Sequence, residues 1–357
     1  MKKLLTLLAL TMFVMPAVLA VSVGSGIGVD IITEDFEPQV WMCGDRVVLD
    51  DNVEPGRVTL GGDTMTERKH NYAFEGEQIA WDIVVWDKNG KEKIVDVFGT
   101  LGSAQGYGND IEVNCDQVAK PNPNEFAKCN ARMLEETVDW NDDTMEAYRC
   151  TLTVETPLSM YGEYWITVEA LDMDGLSGTM AENEYWFLNP EIFLSVIGDL
   201  TFTDVRPGTS SYSETLLVGN DADDGSGVML DMFISGTDFY DSSSSGAMCP
   251  TTNQLSLSRF SYFATNGAYS SLTDVRKVAP ESYVPIVYGI GFNNPTAFYG
   301  KNEILLNSAA QTNTKLYTPG NVLSPGNEIA LTFRLDLPEP CNGDFDTGSI
   351  YFWGEAI

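Results

Sequence analysis

The sequence predicts an all-β protein built from two β-sandwich domains, residues 28–189 and 190–357. Three observations carry that reading. Short apolar runs recur along the chain, bounded by Gly, Asn, Asp and Pro. Several of them alternate apolar and polar residues with period two, as a strand does when one face lies in a core. Pro-Gly pairs punctuate them in Glu54-Pro-Gly-Arg57, Arg206-Pro-Gly-Thr209 and Ser324-Pro-Gly-Asn327, the chemistry of a type II turn. The 357 residues exceed what a single core accommodates. Helix signals are few, and no repeat of 20–50 residues marks a solenoid or propeller.

The first element is an address. Lys2 and Lys3 precede an apolar run, Leu4 to Met15, and then Pro16-Ala-Val-Leu-Ala20. A basic start, a short apolar stretch and small residues at the cleavage position describe a secretory signal peptide, residues 1–20, cleaved after Ala20. The run is shorter than the roughly 20 residues of a spanning helix. Residues 21–27 are glycine-rich and read as a flexible segment before a strand at Val29–Ile32.

Within the first domain, Gln78–Trp86 is an apolar strand, Asp87-Lys-Asn-Gly90 a tight turn, and Lys93–Phe98 the returning strand of a hairpin. Tyr164, Ile166, Val168 and Ala170 alternate with polar or aromatic neighbours, and Glu184–Leu188 is a further strand. Asn189-Pro190 breaks the pattern and sets the domain boundary. The second domain opens with strands Ile192–Ile197 and Leu200–Val205. Val228 to Ile234 and Ile329 to Leu337 alternate cleanly, and Ile350 onward is a terminal aromatic strand.

The six cysteines of an exported chain predict disulfides. The domain division pairs Cys249 with Cys341. In the first domain, local loop closure favours Cys115–Cys129, which leaves Cys43–Cys150.

The chain carries 52 acidic and 20 basic residues, a net charge of −32. That repels nucleic acid and anionic lipid headgroups, and no nucleic-acid partner is expected. Apart from the leader, no apolar run is long enough to span a membrane, so no transmembrane anchor is expected in the mature chain. His70 is the sole histidine. Catalytic zinc sites draw on several, and neither a G-x-S-x-G elbow nor a P-loop is present. Paired carboxylates are the one catalytic option left, and any acidic chain offers them. No catalytic residue and no enzymatic activity are assigned.

Acidic loops are the candidate metal ligands. Asn220, Asp221, Asp223 and Asp224 crowd oxygen side chains into five residues, and Asp172 and Asp174 form a smaller version. Calcium takes six to eight such oxygens, so it is the one cofactor entertained. The same residues are also ordinary turn formers. Trp140, Trp165, Trp186 and Trp353 are candidate sugar-stacking aromatics, with core packing the better account of Trp186 and Trp353. The serine-rich stretch Thr237–Cys249 reads as an exposed loop.

Four resemblances add to this. An early strand after a signal peptide, the turn at Val205-Arg-Pro-Gly208, Leu216-Leu-Val-Gly-Asn220 and a terminal aromatic strand together resemble matrix subunits of the TasA and camelysin kind. Such families assemble by donating an N-terminal strand to a neighbour's sheet, which would make Val21–Ile32 the donor here. Tyr161-Gly-Glu-Tyr-Trp165, Asp199 to Gly219 and Gly348 to Ile357 are similar to segments of secreted surface proteins of small-genome archaea. Cys43, Trp81 and Cys150 give the first domain a resemblance to an immunoglobulin-like sandwich, at wider spacing than its Cys–Trp–Cys core. The second domain resembles a jelly roll. The expectation is a secreted, cell-surface structural protein, a filament or envelope-array subunit that associates with itself or with other surface proteins. The alternative is a monomeric surface adhesin or glycan-binding module, with calcium as its one candidate cofactor.

Overall fold

A computed structural model describes residues 30–49, 66–68, 70–104, 111–130, 139–180, 184–243, 246–278, 281–289, 301–306 and 318–357. The chain divides into an N-terminal unit ending at Asp35 and one unit from Phe36 to Ile357. Asp30–Asp35 form no strand, and Ile31 and Ile32 are exposed. The strand expected at Val29–Ile32 is therefore absent from Asp30 onward; Val29, like the flexible segment and the signal peptide, lies outside the described residues.

The first half is almost entirely β. Its strands are β1 (Gln39–Leu49), β2 (Thr66–Arg68), β3 (Tyr72–Ala73), β4 (Gln78–Trp86), β5 (Ile94–Gly102), β6 (Ile111–Val118), β7 (Met145–Thr153), β8 (Gly162–Asp172), β9 (Ser177–Thr179) and β10 (Glu184–Leu188). One sheet runs β2-β1-β4-β7-β6 and the other β5-β8-β10-β3. Lettered A to G, the strands β1, β4, β5, β6, β7, β8 and β10 form ABED and CFG, the immunoglobulin constant-type arrangement. β6 turns the corner. Its Ile111–Val113 pairs with β5 and its Asn114–Val118 with β7, as strands that switch sheets do.

Alternation fills the space between these sheets. Val40, Met42, Ile79, Trp81, Ile83 and Val85 come from one, and Leu101, Ile166, Val168, Ala170, Trp186 and Leu188 from the other; all are buried. Full burial of one such side chain is worth about 1.5–3 kcal/mol, so this layer dominates the stability of the half.

Gln78–Trp86 and Ile94–Gly102 are both strands, but they are not a hairpin. β4 pairs with β1 and β7, whereas β5 pairs with β6 and β8. The turn at Asp87–Gly90, with Gly90 at φ 125°, leads into a 3-10 turn at Lys91–Lys93 that carries the chain across to the opposite sheet. Turn residues specify a reversal, not which sheet receives the next strand.

One helix, α1 (Pro123–Asn130), lies in the β6–β7 connection. Its start is written in Asn122-Pro-Asn-Glu125. Asn122 Oδ1 accepts from the N–H groups of Asn124 and Glu125 at 3.0 and 3.1 Å, and Glu125 Oε2 accepts from Asn122 N–H at 3.3 Å. This is a capping box with Pro at the first helical position. Phe126 and Cys129 of the helix pack with Cys43, Val84 and Met145 on the outer face of the ABED sheet.

The helix also corrects the disulfides. Cys43 pairs with Cys129, and Cys115 with Cys150; Cys43–Cys150 and Cys115–Cys129 do not form. Cys115 and Cys150 are direct cross-strand neighbours on β6 and β7, while α1 turns Cys129 toward β1. Cys43, Trp81 and Cys150 lie on strands A, B and E of one sheet, so the inter-sheet bridge of an immunoglobulin core is missing although the strand order is kept. Cys249 pairs with Cys341.

The second half comprises β11 (Leu194–Ile197), β12 (Ser210–Asn220), β13 (Leu230–Gly236), β14 (Phe239–Tyr240), β15 (Gln254–Leu255), β16 (Phe260–Asn266), β17 (Tyr269–Ser270), β18 (Val284–Pro285), β19 (Val322–Leu323), β20 (Glu328–Asp336) and β21 (Ile350–Ala356). The sheet β11-β12-β20-β16-β17 packs on β19-β13-β21. Leu216, Val218, Tyr262, Ile329, Leu331 and Phe333 face Leu230, Met232 and Ile234 in the second core. β13 is buried along its whole length, on both faces, and not on one face as its alternation predicts. Leu200–Val205 is no strand, although Leu200, Phe202 and Val205 pack on this core from an irregular segment. Both described Pro-Gly turns form as read. Gly208 and Gly326 each have φ 75°, and the closing bonds Thr209 N–H to Arg206 O and Asn327 N–H to Ser324 O span 3.2 and 3.0 Å. Glu54-Pro-Gly-Arg57 lies outside the described residues.

Among the described residues no strand pairing joins the sheets on either side of Asn189-Pro190, yet the halves pack together. Tyr72 and Phe187 belong to the second core, and Tyr72 Oη donates to the carbonyl of Ile357. Asn189 is buried at φ 51°, its Nδ2 donating to Glu155 O and Met160 O at 2.8 and 2.6 Å.

Candidate functional site

Several side chains of the acidic loops are engaged by backbone and side-chain partners. Asn220 is fully buried; its Nδ2 donates to Val228 O and Leu323 O, both at 2.9 Å, and its Oδ1 accepts from Ala222 N–H at 3.0 Å. Asp223 Oδ2 accepts from Tyr161 Oη at 3.0 Å and from Glu191 N–H at 2.9 Å. Asp172 Oδ1 accepts from the N–H groups of Asp174 and Leu176 at 3.0 and 2.7 Å, and Asp174 pairs with Lys93. Asp221 and Asp224 flank the same turn without joining a shared oxygen cage. Among the described residues, no three His, Cys, Asp or Glu side chains converge as a metal site would require.

The serine-rich loop is tied down in the same way. Ser242 donates through N–H and Oγ to Asp346 at 2.9 and 2.6 Å, which holds the Asp346 carboxyl below its ordinary range. Asp241 Oδ2 accepts from Asp344 N–H at 3.1 Å. With Cys249–Cys341, these bonds join the two loops into one cover over the end of the second core.

Of the aromatic candidates, Trp186 is wholly buried. Trp353 is half-buried and donates to Ser235 Oγ at 3.3 Å. Trp140 packs edge to face on Phe126 at 5.4 Å and donates to Asp142, and Trp165 leans on Tyr185 at 5.5 Å. They do not form one platform. His70 stacks on Tyr72 at 6.2 Å.

A cleft of about 220 Å³ opens on the outer ABED face beside α1, lined by Asp82, Val84, Glu125, Lys128, Tyr148 and Arg149. Arg149 holds Asp82 through two bonds, at 2.8 and 3.1 Å, and this raises the guanidinium's already high pKa. Tyr148 donates to Glu146 at 2.8 Å, and burial first, then that carboxylate, pushes its phenol well above the ordinary range. Asp82 is thus engaged by Arg149 and Tyr148 by Glu146 on the wall of this cleft.

The surface that the sequence reading did not single out is the edge formed by Glu191–Ile197. Among the described residues β11 ends its sheet, pairing with β12 alone. Ile192, Phe193, Val196 and Ile197 are exposed along it. The signal is present in the sequence. Ile192 to Gly198 holds no charged residue in a chain with 72 of them.

No family model and no curated protein matches the chain. Among solved structures, a DUF4785 family protein of Legionella pneumophila is similar over 80% of this chain and 45% of its own, at 5% identity and a TM-score of 0.22. This chain thus spans less than half of that protein. The C-terminal domain of the AgI/II polypeptide BspA of Streptococcus agalactiae is similar over 90% of this chain and 97% of its own, at 10% identity and a TM-score of 0.27. Likenesses this slight bear on neither family nor function.

Proposed function

We propose that the chain is a secreted, cell-surface structural protein that works by associating with copies of itself, as a subunit of a filament or envelope array, without catalysis. The observation that carries this reading is the uncharged, exposed apolar edge Ile192–Ile197 on a protein whose net charge is −32. Natural sheets guard their edges with charge, proline or bulges, because an open edge pairs with whatever strand it meets. An edge left unguarded on an otherwise strongly charged molecule is a place built for contact. Three disulfides suit an oxidising, extracytoplasmic setting and a body that bears load without unfolding. The acidic surface keeps subunits apart until cations or salt screen it.

The test is light scattering and negative-stain imaging of chain 21–357 over a range of concentration, with calcium and with chelator. Filaments, sheets or discrete oligomers are the expected result. A monomer under every condition overturns the proposal.

A further inference from the structure

We infer that β11 is the self-association surface, pairing antiparallel with β11 of a second copy about a twofold axis at Leu194. This deepens the self-association reading and rests on it.

The backbone decides which groups are available. Asp221 N–H donates to Phe193 O at 2.9 Å and Asp223 N–H to Glu191 O at 3.3 Å, so the ladder with β12 runs from Glu191 to Ile197. In an antiparallel ladder the N–H and C=O of one residue point the same way, and the direction alternates along the strand. Glu191, Phe193, Ser195 and Ile197 therefore face β12. Ile192, Leu194 and Val196 turn theirs to the open side, where no partner meets them among the described residues. Gly198, at φ 115°, ends the run.

A second copy supplies the matching strand. With Leu194 opposite its own equivalent, Ile192 of each copy stands opposite Val196 of the other. All six outward backbone groups of each copy then find partners, which neither neighbouring register achieves. The side chains agree. Leu194 and Val196 lie on the core face, opposite Asn220 and the fully buried Val218, yet Val196 remains 48% exposed because the core stops at this edge. Ile192 shares that face and is 41% exposed. Pairing covers both and makes one core continuous through two molecules. On the outer face Phe193 meets Ser195, and Glu191 meets Ile197, so no two acids are opposed.

The occupant is a second copy because the surface is its own complement, which is all that a twofold interface requires. A basic partner would be drawn to carboxylates, and Ile192 to Gly198 has none. The contact is small beside the roughly 1,200 Å² of a standard stable interface, so the pair is weak alone and gains from further contacts in an array. Each copy carries the same large negative charge, so pairing strengthens as salt shortens the screening length to about 10 Å or less.

Sedimentation velocity of chain 21–357 and of Val196→Lys, at low and high salt, tests this. Val196 is at the surface, so the variant folds, as matching thermal unfolding verifies. Placing a lysine at the seam weakens association by roughly tenfold or more, since its ammonium loses water without gaining a partner. Spin labels on Ile197→Cys give an independent readout. The two labels sit six residues apart along the paired strands, roughly 20 Å at about 3.4 Å per residue. If the parent chain associates, but Val196→Lys associates equally well and the labels show no such distance, edge pairing is overturned while self-association stands. If the parent chain never associates, the functional reading falls and takes this inference with it.

Discussion

Trp81 of β4 and Trp186 of β10 meet edge to face between the two sheets of the first sandwich, with ring centroids 5.6 Å apart and planes at 84°. Both are wholly buried, and among the described residues neither indole Nε1 has a hydrogen-bond partner. Their contribution is thus volume and ring contact, offset by two desolvated N–H groups. Trp186→Ala is expected to cost about 3–5 kcal/mol in denaturant unfolding. Trp186→Phe costs clearly less, because it keeps a ring and removes an orphan donor. Equal losses in the two variants would show that the indole's full volume, not its ring contact, matters.

Arg46 of β1 and Glu184 of β10 bridge the same two sheets, with Arg46 Nη1 donating to both carboxylate oxygens. Glu184 is buried and Arg46 half-buried. Arg46→Met removes the guanidinium from a buried carboxylate and is expected to destabilise by about 3 kcal/mol, whereas Arg46→Met with Glu184→Met recovers most of the loss. A double-mutant cycle by equilibrium unfolding measures it. Additive losses would mean that the two side chains do not act as a pair.

How far such features were legible varies with the range of the interaction. The turn at Arg206-Pro-Gly208 is local chemistry, and it formed as read. So did the strands around Ile166–Ala170 and Ile329–Leu335, whose alternation reports a nearby core. Pairing is not local. Gln78–Trp86 and Lys93–Phe98 carry every mark of a hairpin, yet each finds better partners far along the chain. Cys115 and Cys129 are close in sequence, but only the helix, announced by Asn122 and Glu125, shows that Cys129 points elsewhere. The oxygen side chains of the loop at Asn220 are plain in the sequence, but composition cannot reveal that Asn220 is buried and bonded to Val228, Leu323 and Ala222. β11 was legible as a strand, but its place at a sheet edge depends on the fold.

The two kinds of disulfide separate in their expected worth. Cys249 and Cys341 are 92 residues apart and tie together two irregular loops. Loop-closure entropy for such a span is worth up to about 4.7 kcal/mol. Cys115 and Cys150, 35 residues apart, are already held as neighbours by the β6–β7 ladder. Replacing the first pair by serines is expected to lower the unfolding midpoint more than replacing the second. The reverse order would mean that the β6–β7 corner depends on its bridge. Peptide mapping of the unreduced chain checks the pairings directly.

Asp87 couples stability to pH. It is buried at the turn after β4, its Oδ1 accepting from Asn89 N–H at 2.8 Å and its Oδ2 without a hydrogen-bond partner among the described residues. Burial raises its carboxyl above the ordinary value; the Asn89 bond opposes this, Asp172 adds to it, Lys93 opposes it and Asp174 adds to it. The folded state therefore holds this proton more tightly than the unfolded chain. Its contribution is fully present below the unfolded carboxylate pKa and is lost as pH rises through the raised one. Above that, the buried charge is a standing cost. Asp87→Asn keeps the acceptor for Asn89 and cannot ionise. The melting temperature of the variant, taken relative to the parent, should climb from pH 3 to pH 7, by roughly 2–4 °C for each kcal/mol relieved. Any fixed penalty from the new amide enters at every pH and cancels from that climb. A difference that stays flat across the range would mean that Asp87 is solvated well enough to ionise freely.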